Sequence, residues 1–478
     1  MDMFLIYAHQ RHSVLYLEIW SALDNIVNWL RFAMKTAVVG GGLVGSLQAL
    51  FLSKCGYKVE LYESRADIRT ERHYGGRSIN LALSVRGREA LKIVGLERTV
   101  LSDAIPMYAR MIHSLSGATS SQAYGKCEQC IYSVDRRKLN ELLLSEAERD
   151  PNISLNFEHK LVRANFEDNE YTFVKGPQAD EVHVSVHADV IFGCDGAYST
   201  VRRQMMRWGR LNYQQEYIDH GYKELRMPPN ENGNFSMAPN FLHIWPREDF
   251  MMIALPNKDY SFTVTLFMPF NIFDAIETEE DLLAFFMKHF SDTVDKIGVE
   301  RLVHDYFNNP VGKLVSVKCY PHFMANQAVV MGDAAHAVVP FYGQGMNAGF
   351  EDCLIYYEFL NRENDLLKAA QVYSESHWRD CHDIADLSMY NYHEMRSHVN
   401  SRLFVLRKKV DNFLHALFPS RFIPLYTMVA FTRIPYHIVV QRNRKQRKMV
   451  TICLSLGSII TIFVVGFYAL KYLIPTEL

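Results

Sequence analysis

Three short glycine-containing segments, far apart in the chain, constrain the fold most strongly. They are Gly40-Gly41-Gly42-Leu43-Val44-Gly45, Cys194-Asp195-Gly196 and Gly332-Asp333-Ala334-Ala335-His336. Each follows a short apolar run that is typical of a buried parallel strand. Ligands of open α/β sheets bind beyond the carboxyl ends of such strands. The order and spacing of the segments therefore predict an α/β fold in which distant parts of the chain share one ligand.

The first segment is a dinucleotide-binding fingerprint in its full context. Gly40 allows the tight turn after the strand, Gly42 lets a pyrophosphate approach the backbone, and Gly45 lets the following helix pack on the sheet. A second strand ends at Tyr62, and Glu63 follows it. A carboxylate at that place can accept hydrogen bonds from a ribose diol. This context favours a nucleotide site over a plain structural turn.

The other two segments distinguish between nucleotides, because the fingerprint serves NAD and FAD alike. Asp195 and Asp333 each stand at the carboxyl end of a predicted strand. Asp333 could bind the hydroxyls of a ribityl chain, which NAD lacks. Either aspartate alone could equally be a turn or N-cap residue. Together with the fingerprint, the pair favours FAD.

A loop with one proline and two glycines, residues 339–345, precedes a predicted helix. A loop without bulk at a helix N-terminus can lie against a flat ring, and its backbone N–H groups favour the negative charge of a reduced flavin. His336, just before this loop, is either a general base or a histidine packed beneath the loop. We therefore assign no catalytic side chain.

Size and composition exclude several classes of protein. The 478 residues suffice for two or three domains with a large core. The net charge of −2 gives no field that would attract nucleic acid. The eight cysteines have no disulfide-framework spacing, which indicates a reducing compartment. The close pair Cys127 and Cys130 lacks a partner pair at zinc-site spacing, so no metal site is predicted.

The two ends of the chain differ from the globular part. Residues 449–470 form a run of 22 residues without a charged side chain, preceded by several arginines and lysines. As a helix this run would span about 33 Å, enough to cross a bilayer. We expect a tail anchor that keeps the main domain in the cytosol; the alternative is a buried core helix. Residues 1–33 have no cleavage-site pattern and are expected to be an extension outside the fold, either an amphipathic helix or a gene-model artefact.

Longer strings narrow the assignment. Residues 76–84, 106–113, 343–352 and 386–392, with the three segments, resemble the single-component, FAD-dependent aromatic hydroxylases of the p-hydroxybenzoate hydroxylase fold. Within that family they are similar to the kynurenine hydroxylases. The likeness extends from Met34 to about Leu470. The family usually begins at the first strand, so residues 1–33 have no counterpart in it.

The resemblance implies a reaction. It is the NADPH- and O2-dependent hydroxylation of L-kynurenine to 3-hydroxykynurenine, through a flavin C4a-hydroperoxide, in tryptophan catabolism and pyridine nucleotide biosynthesis. FAD would carry the chemistry. NADPH would bind transiently, because the sequence has no second dinucleotide fingerprint. The family also points to the outer mitochondrial membrane, although the tail is equally compatible with the endoplasmic reticulum.

The resemblance also implies site residues. Arg110 would hold the amino-acid carboxylate of kynurenine, with Tyr124, Asn391 and Tyr426 completing the substrate pocket. Without the resemblance, Arg110 would be read as an ion-pair residue and the other three as ordinary packed residues. The implied cofactor residues are Gly40, Gly42, Val44, Gly45, Tyr62, Glu63, Ser64, Arg65, Ala82, Arg136, Leu161, Asp195, Thr200, Asp333, Met346 and Asn347.

The expected architecture is a Rossmann-like FAD-binding domain with an antiparallel-sheet substrate domain. Two alternating runs, residues 250–255 and 261–267, predict a hairpin in that sheet. Residues 276–305 and about 369–440 are predicted to be mostly helical. The predicted divisions are residues 34–115, 185–215 and 310–375 for the FAD-binding domain, 116–184 and 216–309 for the substrate domain, 376–447 for a C-terminal helical segment and 449–470 for the membrane helix.

Two other functions stay open at this point. A membrane-tethered hydroxylase or epoxidase of a lipid or quinone precursor would suit the anchor, but a cationic Arg110 in the pocket argues against it. A flavin-binding scaffold without turnover would use the helical block and the anchor to recruit partners. Intact cofactor motifs argue against the scaffold.

Overall fold

In a computed structural model, the chain forms two compact units, Met1–Val399 and Asn400–Leu478, and each is described by itself. The predicted extension over residues 1–33 and most of the predicted membrane helix lie outside the described residues. The structure describes residues 34–70, 80–124, 129–176, 182–396, 410–411 and 413–452, without the side chains of residues 393–396.

Nineteen strands occur among the described residues. They are β1 (Lys35–Val39), β2 (Lys58–Tyr62), β3 (Asn80–Leu83), β4 (Ile105–Met107), β5 (Ala109–His113), β6 (Thr119–Ala123), β7 (Ile131–Asp135), β8 (Ile153–Asn156), β9 (His159–Asn165), β10 (Glu170–Lys175), β11 (Val182–His187), β12 (Val190–Gly193), β13 (Asn212–Met227), β14 (Phe241–Arg247), β15 (Phe250–Pro256), β16 (Phe262–Pro269), β17 (Gly312–Tyr320), β18 (Phe323–Met324) and β19 (Ala328–Val330).

The helices of the first unit lie singly or in groups between these strands and after them, and one further helix belongs to the second unit. They are α1 (Leu43–Lys54), α2 (Val85–Ile93), α3 (Glu97–Ser102), α4 (Arg136–Arg149), α5 (Thr200–Trp208), α6 (Phe270–Asp274), α7 (Glu279–His289), α8 (Ser291–Ile297), α9 (Val299–Asn308), α10 (Asp333–His336), α11 (Gly345–Glu363), α12 (Leu366–Arg396) and α13 (Leu425–Phe431). Residues 436–452 of the second unit are also helical.

A six-stranded sheet forms the core of the cofactor half, in the order β18-β19-β12-β1-β2-β8. All neighbours are parallel except the β18–β19 pair. The central strands are buried and rich in β-branched residues, as expected where helices cover both faces. Helix α1 begins after Gly42 and ends before Gly56, whose φ of +87° suits a residue without a side chain. The predicted α/β fold is confirmed.

A seven-stranded sheet forms the substrate half, in the order β17-β13-β16-β15-β14-β5-β6. The predicted hairpin is β15 with β16, in antiparallel register from Met251 with Phe267 to Pro256 with Phe262. Helices α7, α8 and α9 follow it, in the stretch predicted to be helical. Helix α7 starts with a capping box between Thr278 and Asp281. The apolar side chains of these helices pack against one face of the sheet.

The sheets divide the chain differently from the predicted domain boundaries. Strands β5 and β17 hydrogen-bond within the seven-stranded sheet, whereas β8 belongs to the six-stranded sheet. Helix α12 runs without a break from Leu366 to Arg396, and its first turns pack in the core of the cofactor half. The reason is that the hydrophobic pattern changes at points that do not end a sheet or a helix. Strands from both sides of such a point pair with one another, and helix α12 continues across one.

Within the described residues, no helix combines the length and the apolar character needed to cross a bilayer.

Candidate active site

The three motif segments meet at one edge of the six-stranded sheet. Val39 pairs with Gly193, and Gly193 pairs with Val330, so the three strands end side by side. Gly40 has a φ of +107°, and a Cβ built on it would lie 2.4 Å from the carbonyl oxygen of Cys194. Only glycine allows this approach. The edge on which the sequence places its ligand is therefore formed as predicted.

Val44 joins the first segment to the third. A Cβ on Gly332 would lie 2.9 Å from Val44 Cγ2, and a Cβ on Gly349 would lie 2.6 Å from the same atom. Gly45, the next residue, packs so tightly that a Cβ would lie 1.9 Å from the carbonyl oxygen of Gly40. These close contacts hold the N-termini of helices α1 and α11 near the same turn.

Glu63 lies at the end of β2 and is buried. Its Oε2 accepts a hydrogen bond from Gly41 N (2.8 Å), and its Oε1 accepts from the backbone and Nε of Arg65 (2.9 and 2.8 Å). Burial would raise the pKa of Glu63, but the contacts with Arg65 and Gly41 lower it overall. A carboxylate offers about four acceptor positions, and the exposed Ser64 hydroxyl (3.2 Å) takes the fourth. A diol could therefore bind this ionised group by replacing the Ser64 hydroxyl.

Asp195 is used differently from Glu63. Its Oδ2 accepts hydrogen bonds from Thr200 N (2.6 Å) and Val201 N (3.2 Å), at the start of α5. Burial nevertheless raises the pKa of the Asp195 carboxyl. The structure therefore brings the two predicted residues Asp195 and Thr200 together, and it gives the aspartate the helix-capping role that the sequence left open.

Asp333 follows strand β19 at the same edge of the six-stranded sheet. The side chain is exposed, yet the surrounding protein raises the pKa of its carboxyl, and the positive charges of Arg136 and His336 oppose this rise. An accessible carboxylate that is still desolvated must lie in a concave site. Arg136, itself exposed at the start of α4, contributes its charge to the same cleft.

Asn347 anchors the loop that precedes α11. Its Oδ1 accepts from Ser84 N (2.8 Å), and its Nδ2 donates to the carbonyl oxygens of Ala82 and Gly343 (2.8 Å each). Met346, beside it, is buried in an apolar cluster. The side chain of Asn347 thus fixes the strand that carries Ala82 against the glycine loop. A cofactor would therefore contact the backbone of Asn347 rather than its side chain.

The remaining predicted cofactor residues lie around the end of β2. Tyr62 is buried, stacks on Phe173 with ring centroids 4.1 Å apart, and donates from its hydroxyl to Glu60 (2.6 Å). Ser64 is exposed and donates to Glu63 (3.2 Å). Leu161 is buried in an apolar cluster on β9, at 3% exposure. Its side chain therefore serves the core.

These features fit FAD. A Cβ on Gly42 would meet no described atom within 4 Å, so the backbone at the start of α1 is uncovered. Helices α1 and α11 have no side-chain cap and no acidic residue in the first turn, as far as the described chain shows. Their positive ends are thus available to a pyrophosphate and to a reduced ring system. Glu63 and Asp333 supply acceptors for sugar hydroxyls.

Two predicted substrate residues lie together on the seven-stranded sheet. Arg110 on β5 is buried at 6% exposure, and its guanidinium carbon lies 6.0 Å from the ring centroid of Tyr124. Ile112 lies on the same face of the strand as Arg110, because side chains alternate. Ile112 packs in a cluster with Phe341 and Tyr392. The cation is therefore on the side of the sheet that faces the glycine loop.

Asn391 joins helix α12 to that loop. Its Nδ2 donates to the carbonyl oxygen of Phe341 (2.7 Å), and the ring of Tyr392 stacks on Phe341 with centroids 3.9 Å apart. The structure thus connects Asn391 with the face that carries Arg110. Tyr426 is half-buried on α13, in the second unit.

A buried network beneath the cleft was not predicted as a site. Asp352 on α11 accepts from Gly332 N (2.8 Å), lies 2.6 Å from His336 Nε2 and lies 2.8 Å from His377 Nε2. The sequence left His336 open as a base or as a packed residue, and it is buried beneath the turn. The signal for Asp352 was the pair of acidic residues Glu351 and Asp352 between the apolar residues Phe350 and Cys353 of the predicted helix.

Comparison with known proteins identifies the class. The family model described as "FAD binding domain" matches residues 33–360. The fold resembles 2-methyl-3-hydroxypyridine-5-carboxylic acid oxygenase, with a TM-score of 0.62 at 19% identity over 76% of this chain and 93% of that one. It also resembles Pseudomonas aeruginosa PqsL in complex with 2-aminobenzoylacetate, with a TM-score of 0.61 at 16% identity over 76% and 97%. The family model and the shared fold together define a protein with an FAD-binding domain.

Curated relatives identify the particular family. A kynurenine 3-monooxygenase of Sus scrofa is 52% identical over 87% of this chain and 88% of its own length. One of Anopheles gambiae is 49% identical over 91% and 89%, and one of Yarrowia lipolytica is 42% identical over 87% and 93%. The chain belongs to the kynurenine 3-monooxygenase family, which confirms the resemblance.

Proposed function

We propose that this protein hydroxylates L-kynurenine to 3-hydroxykynurenine with NADPH and O2 as co-substrates. The observation that carries the proposal is the convergence of three cofactor segments at one sheet edge, in a chain 52% identical to a kynurenine 3-monooxygenase over 87% of its length. The buried Arg110 disfavours the alternative of a lipid substrate, because a guanidinium in the pocket matches an anionic substrate group better than an apolar one.

Bound FAD would supply the redox and oxygen chemistry. The protein would hold it with the backbone at Gly40–Gly42, the carboxylates of Glu63 and Asp333, and the N-terminus of α11. Arg136 would add positive charge at the cleft that contains Asp333. The buried loop around Phe341 would keep bulk water from the reacting centre, which strengthens electrostatic contacts there.

Arg110 would bind the amino-acid carboxylate of the substrate. A guanidinium presents two parallel N–H donors that match a carboxylate, and such charge-assisted contacts are worth about 1.5–3 kcal/mol. Tyr124 lies against the guanidinium and would limit its rotation. Asn391, fixed through Phe341, would set the distance between the loop and the sheet.

Substitution of Arg110 tests this role. Arg110→Ala should raise the KM for kynurenine by about 10- to 100-fold while FAD stays bound. The control is Arg226→Ala, which removes an exposed arginine from the same sheet, where it pairs with Asp259. Product analysis after incubation with kynurenine, NADPH and O2 tests the reaction itself. Unchanged kynurenine kinetics in Arg110→Ala would contradict the carboxylate role, and absence of hydroxylated product from the wild type would contradict the function.

Asp333 is tested separately through the cofactor. Asp333→Ala should lower the flavin content of the purified protein, since one acceptor for sugar hydroxyls is lost. The flavin-to-protein absorbance ratio measures it. A fully yellow variant would count against the contact.

A membrane attachment completes the proposal. Residues 449–470 are apolar and follow a basic stretch, so they would form a tail anchor, with the catalytic domain facing the cytosol and the outer mitochondrial membrane as its site. Fractionation of cells that express the full chain or a chain ending at residue 448 provides the test. Equal membrane content of both forms would exclude the anchor, and co-sedimentation with the endoplasmic reticulum would exclude the mitochondrial site.

A further inference from the structure

A single carboxylate connects the cofactor turn to two helices. Asp352 on α11 accepts from the backbone N–H of Gly332 through Oδ2, and the same oxygen lies 2.6 Å from His336 Nε2. The other oxygen, Oδ1, lies 2.8 Å from Nε2 of His377, which is on α12. His377 Nδ1 in turn lies 3.6 Å from Asp380. Three groups thus meet at the Asp352 carboxylate, and Asp380 contacts one of them.

The network is enclosed, and its central carboxylate lies between two histidines. The side chains of Asp352, His336 and His377 are 1%, 2% and 5% exposed. Burial alone would lower the pKa of both histidines, but Asp352 and neighbouring groups raise it well above 6.5. Burial would raise the pKa of Asp352, and the two histidines lower it overall. A buried carboxylate with charged partners holds a defined geometry, because breaking one contact leaves an unpaired charge.

The side-chain atoms of this network are spaced as in hydrogen bonds and not as ligands of a metal ion. His336, Asp352 and Cys381 offer ligand atoms within 4.8 Å of one another, a grouping that could suggest a metal ion. Two ligands about 2.0–2.1 Å from a tetrahedral zinc ion would lie about 3.3 Å apart. The His336–Asp352 distance of 2.6 Å is too short for that arrangement and is normal for a charge-assisted hydrogen bond.

The carboxylate acts on the backbone that carries Asp333. Gly332 has a φ of +58°, and its carbonyl oxygen accepts from the N–H groups of Ala335 and His336. Its N–H is held by Asp352, so both polar groups of this residue are fixed. Asp333 is the next residue, and the orientation of the Gly332 peptide determines where its carboxylate points into the cleft.

We infer that Asp352 is a positioning residue for FAD binding: it sets the Gly332–Asp333 turn and holds it through His336 and His377. It touches no substrate and performs no step of the reaction. Helix α11 also carries Asn347, which fixes the glycine loop, so one helix orients both sides of the cleft. This inference depends on the proposed function only in that the cleft binds FAD.

The test compares two buried aspartates that each accept a backbone N–H. Asp352→Asn keeps the size of the side chain but removes its negative charge and replaces one acceptor oxygen with a donor, so it cannot accept from Gly332 N and from both histidines in their protonated form. The control is Asp305→Asn in the substrate half, where a fully buried carboxylate accepts from Arg226 N at 3.0 Å. The dissociation constant for FAD is measured by quenching of flavin fluorescence, with the visible absorption spectrum and urea unfolding of each protein.

We expect Asp352→Asn to raise the dissociation constant for FAD by about 10- to 100-fold and to alter the flavin spectrum. Asp305→Asn should lower stability and leave both flavin readouts unchanged. If Asp352→Asn does not fold, His377→Gln, which removes one partner, should raise the constant by about tenfold. An unchanged constant in whichever of these variants folds overturns the inference. Failure of the wild type to bind FAD would instead overturn the proposed function.

Discussion

Each half of the catalytic unit contains a buried histidine–aspartate network, and the two are built in opposite ways. Beneath the cofactor cleft, Asp352 lies between His336 and His377 and is 1% exposed. In the substrate half, Asp292 lies at the end of the network and is 21% exposed. The first network shares one fully buried carboxylate between two histidines, whereas the second has its carboxylate at the rim.

The substrate-half network is a chain of contacts. His113 Nδ1 lies 3.1 Å from Asp292, and its Nε2 lies 2.9 Å from His243 Nδ1. His243 Nε2 contacts the carbonyl oxygen of Ala238 at 2.8 Å. Trp245 donates to Asp292 and stacks on His113. His113 is on β5, the strand of Arg110, so this chain supports the substrate sheet.

The pKa of the buried histidines differs between the two networks, as does the position of the carboxylate. Next to Asp352, the pKa of His336 and His377 rises well above 6.5 although burial opposes it. His243 is one histidine removed from Asp292, and burial lowers its pKa to about 4. The cofactor half is therefore held by charged contacts, and the substrate half by a neutral imidazole.

The largest expected effect comes from removing the central carboxylate. Asp352→Ala should lower the free energy of unfolding by about 3–5 kcal/mol, because it leaves two buried histidines without their counter-charge. Urea unfolding of the apoprotein at neutral pH measures this loss. A loss below about 1 kcal/mol would mean that the two networks do not differ in the way described.

The second-largest effect is expected from acid, which should lower the stability of the folded protein through His243 in the substrate half. The folded protein keeps His243 neutral down to about pH 4, whereas the unfolded chain takes up a proton near pH 6.5. The unfolded state therefore binds more protons between these values, and stability falls as the pH falls. The contribution of this residue is about 3 kcal/mol. In His243→Gln, the free energy of unfolding measured with urea should change less steeply with pH across this range. A slope equal to that of the wild type would show that His243 already titrates normally in the folded protein.

Asp292→Ala should lower the free energy of unfolding by about 1–2 kcal/mol, which is less than the loss expected for Asp352→Ala. The Asp292 carboxylate is already partly hydrated. After its loss, the Trp245 N–H and His113 Nδ1 would form hydrogen bonds with water instead. Measured beside Asp352→Ala under the same conditions, it gives the comparison directly. Equal losses for the two variants would remove the distinction between a central and a peripheral carboxylate.

The smallest effect is expected for Cys381→Ser. The Cys381 sulfur lies 4.0 Å from Asp352 Oδ1, and a thiol is a weak donor that adds little to a carboxylate already held by two histidines. The free energy of unfolding should change by less than about 1 kcal/mol, and dialysis against a zinc chelator should leave the melting temperature unchanged. A chelator-sensitive melting temperature would indicate a metal ion in this network.

The sequence predicted the cofactor edge better than the substrate side. Gly40, Asp195 and Asp333 each lie within three residues of the end of a strand, so local patterns locate them on one edge. Arg110 has no such signal, because β5 pairs in parallel with β14, which is distant in sequence. Its place came from family resemblance. The partners of Asp352 were also unpredictable, since three separate elements supply them and no spacing in the chain relates them.

The packing of Val44 has a practical consequence. One isopropyl group fills the space left by the missing side chains of Gly332 and Gly349, so its methyl groups touch two motifs at once. A selectively labelled Val44 would give a resonance that senses both segments without any added probe. Titration of the apoprotein with flavin, followed at that signal, would report whether both segments respond in a single concerted event.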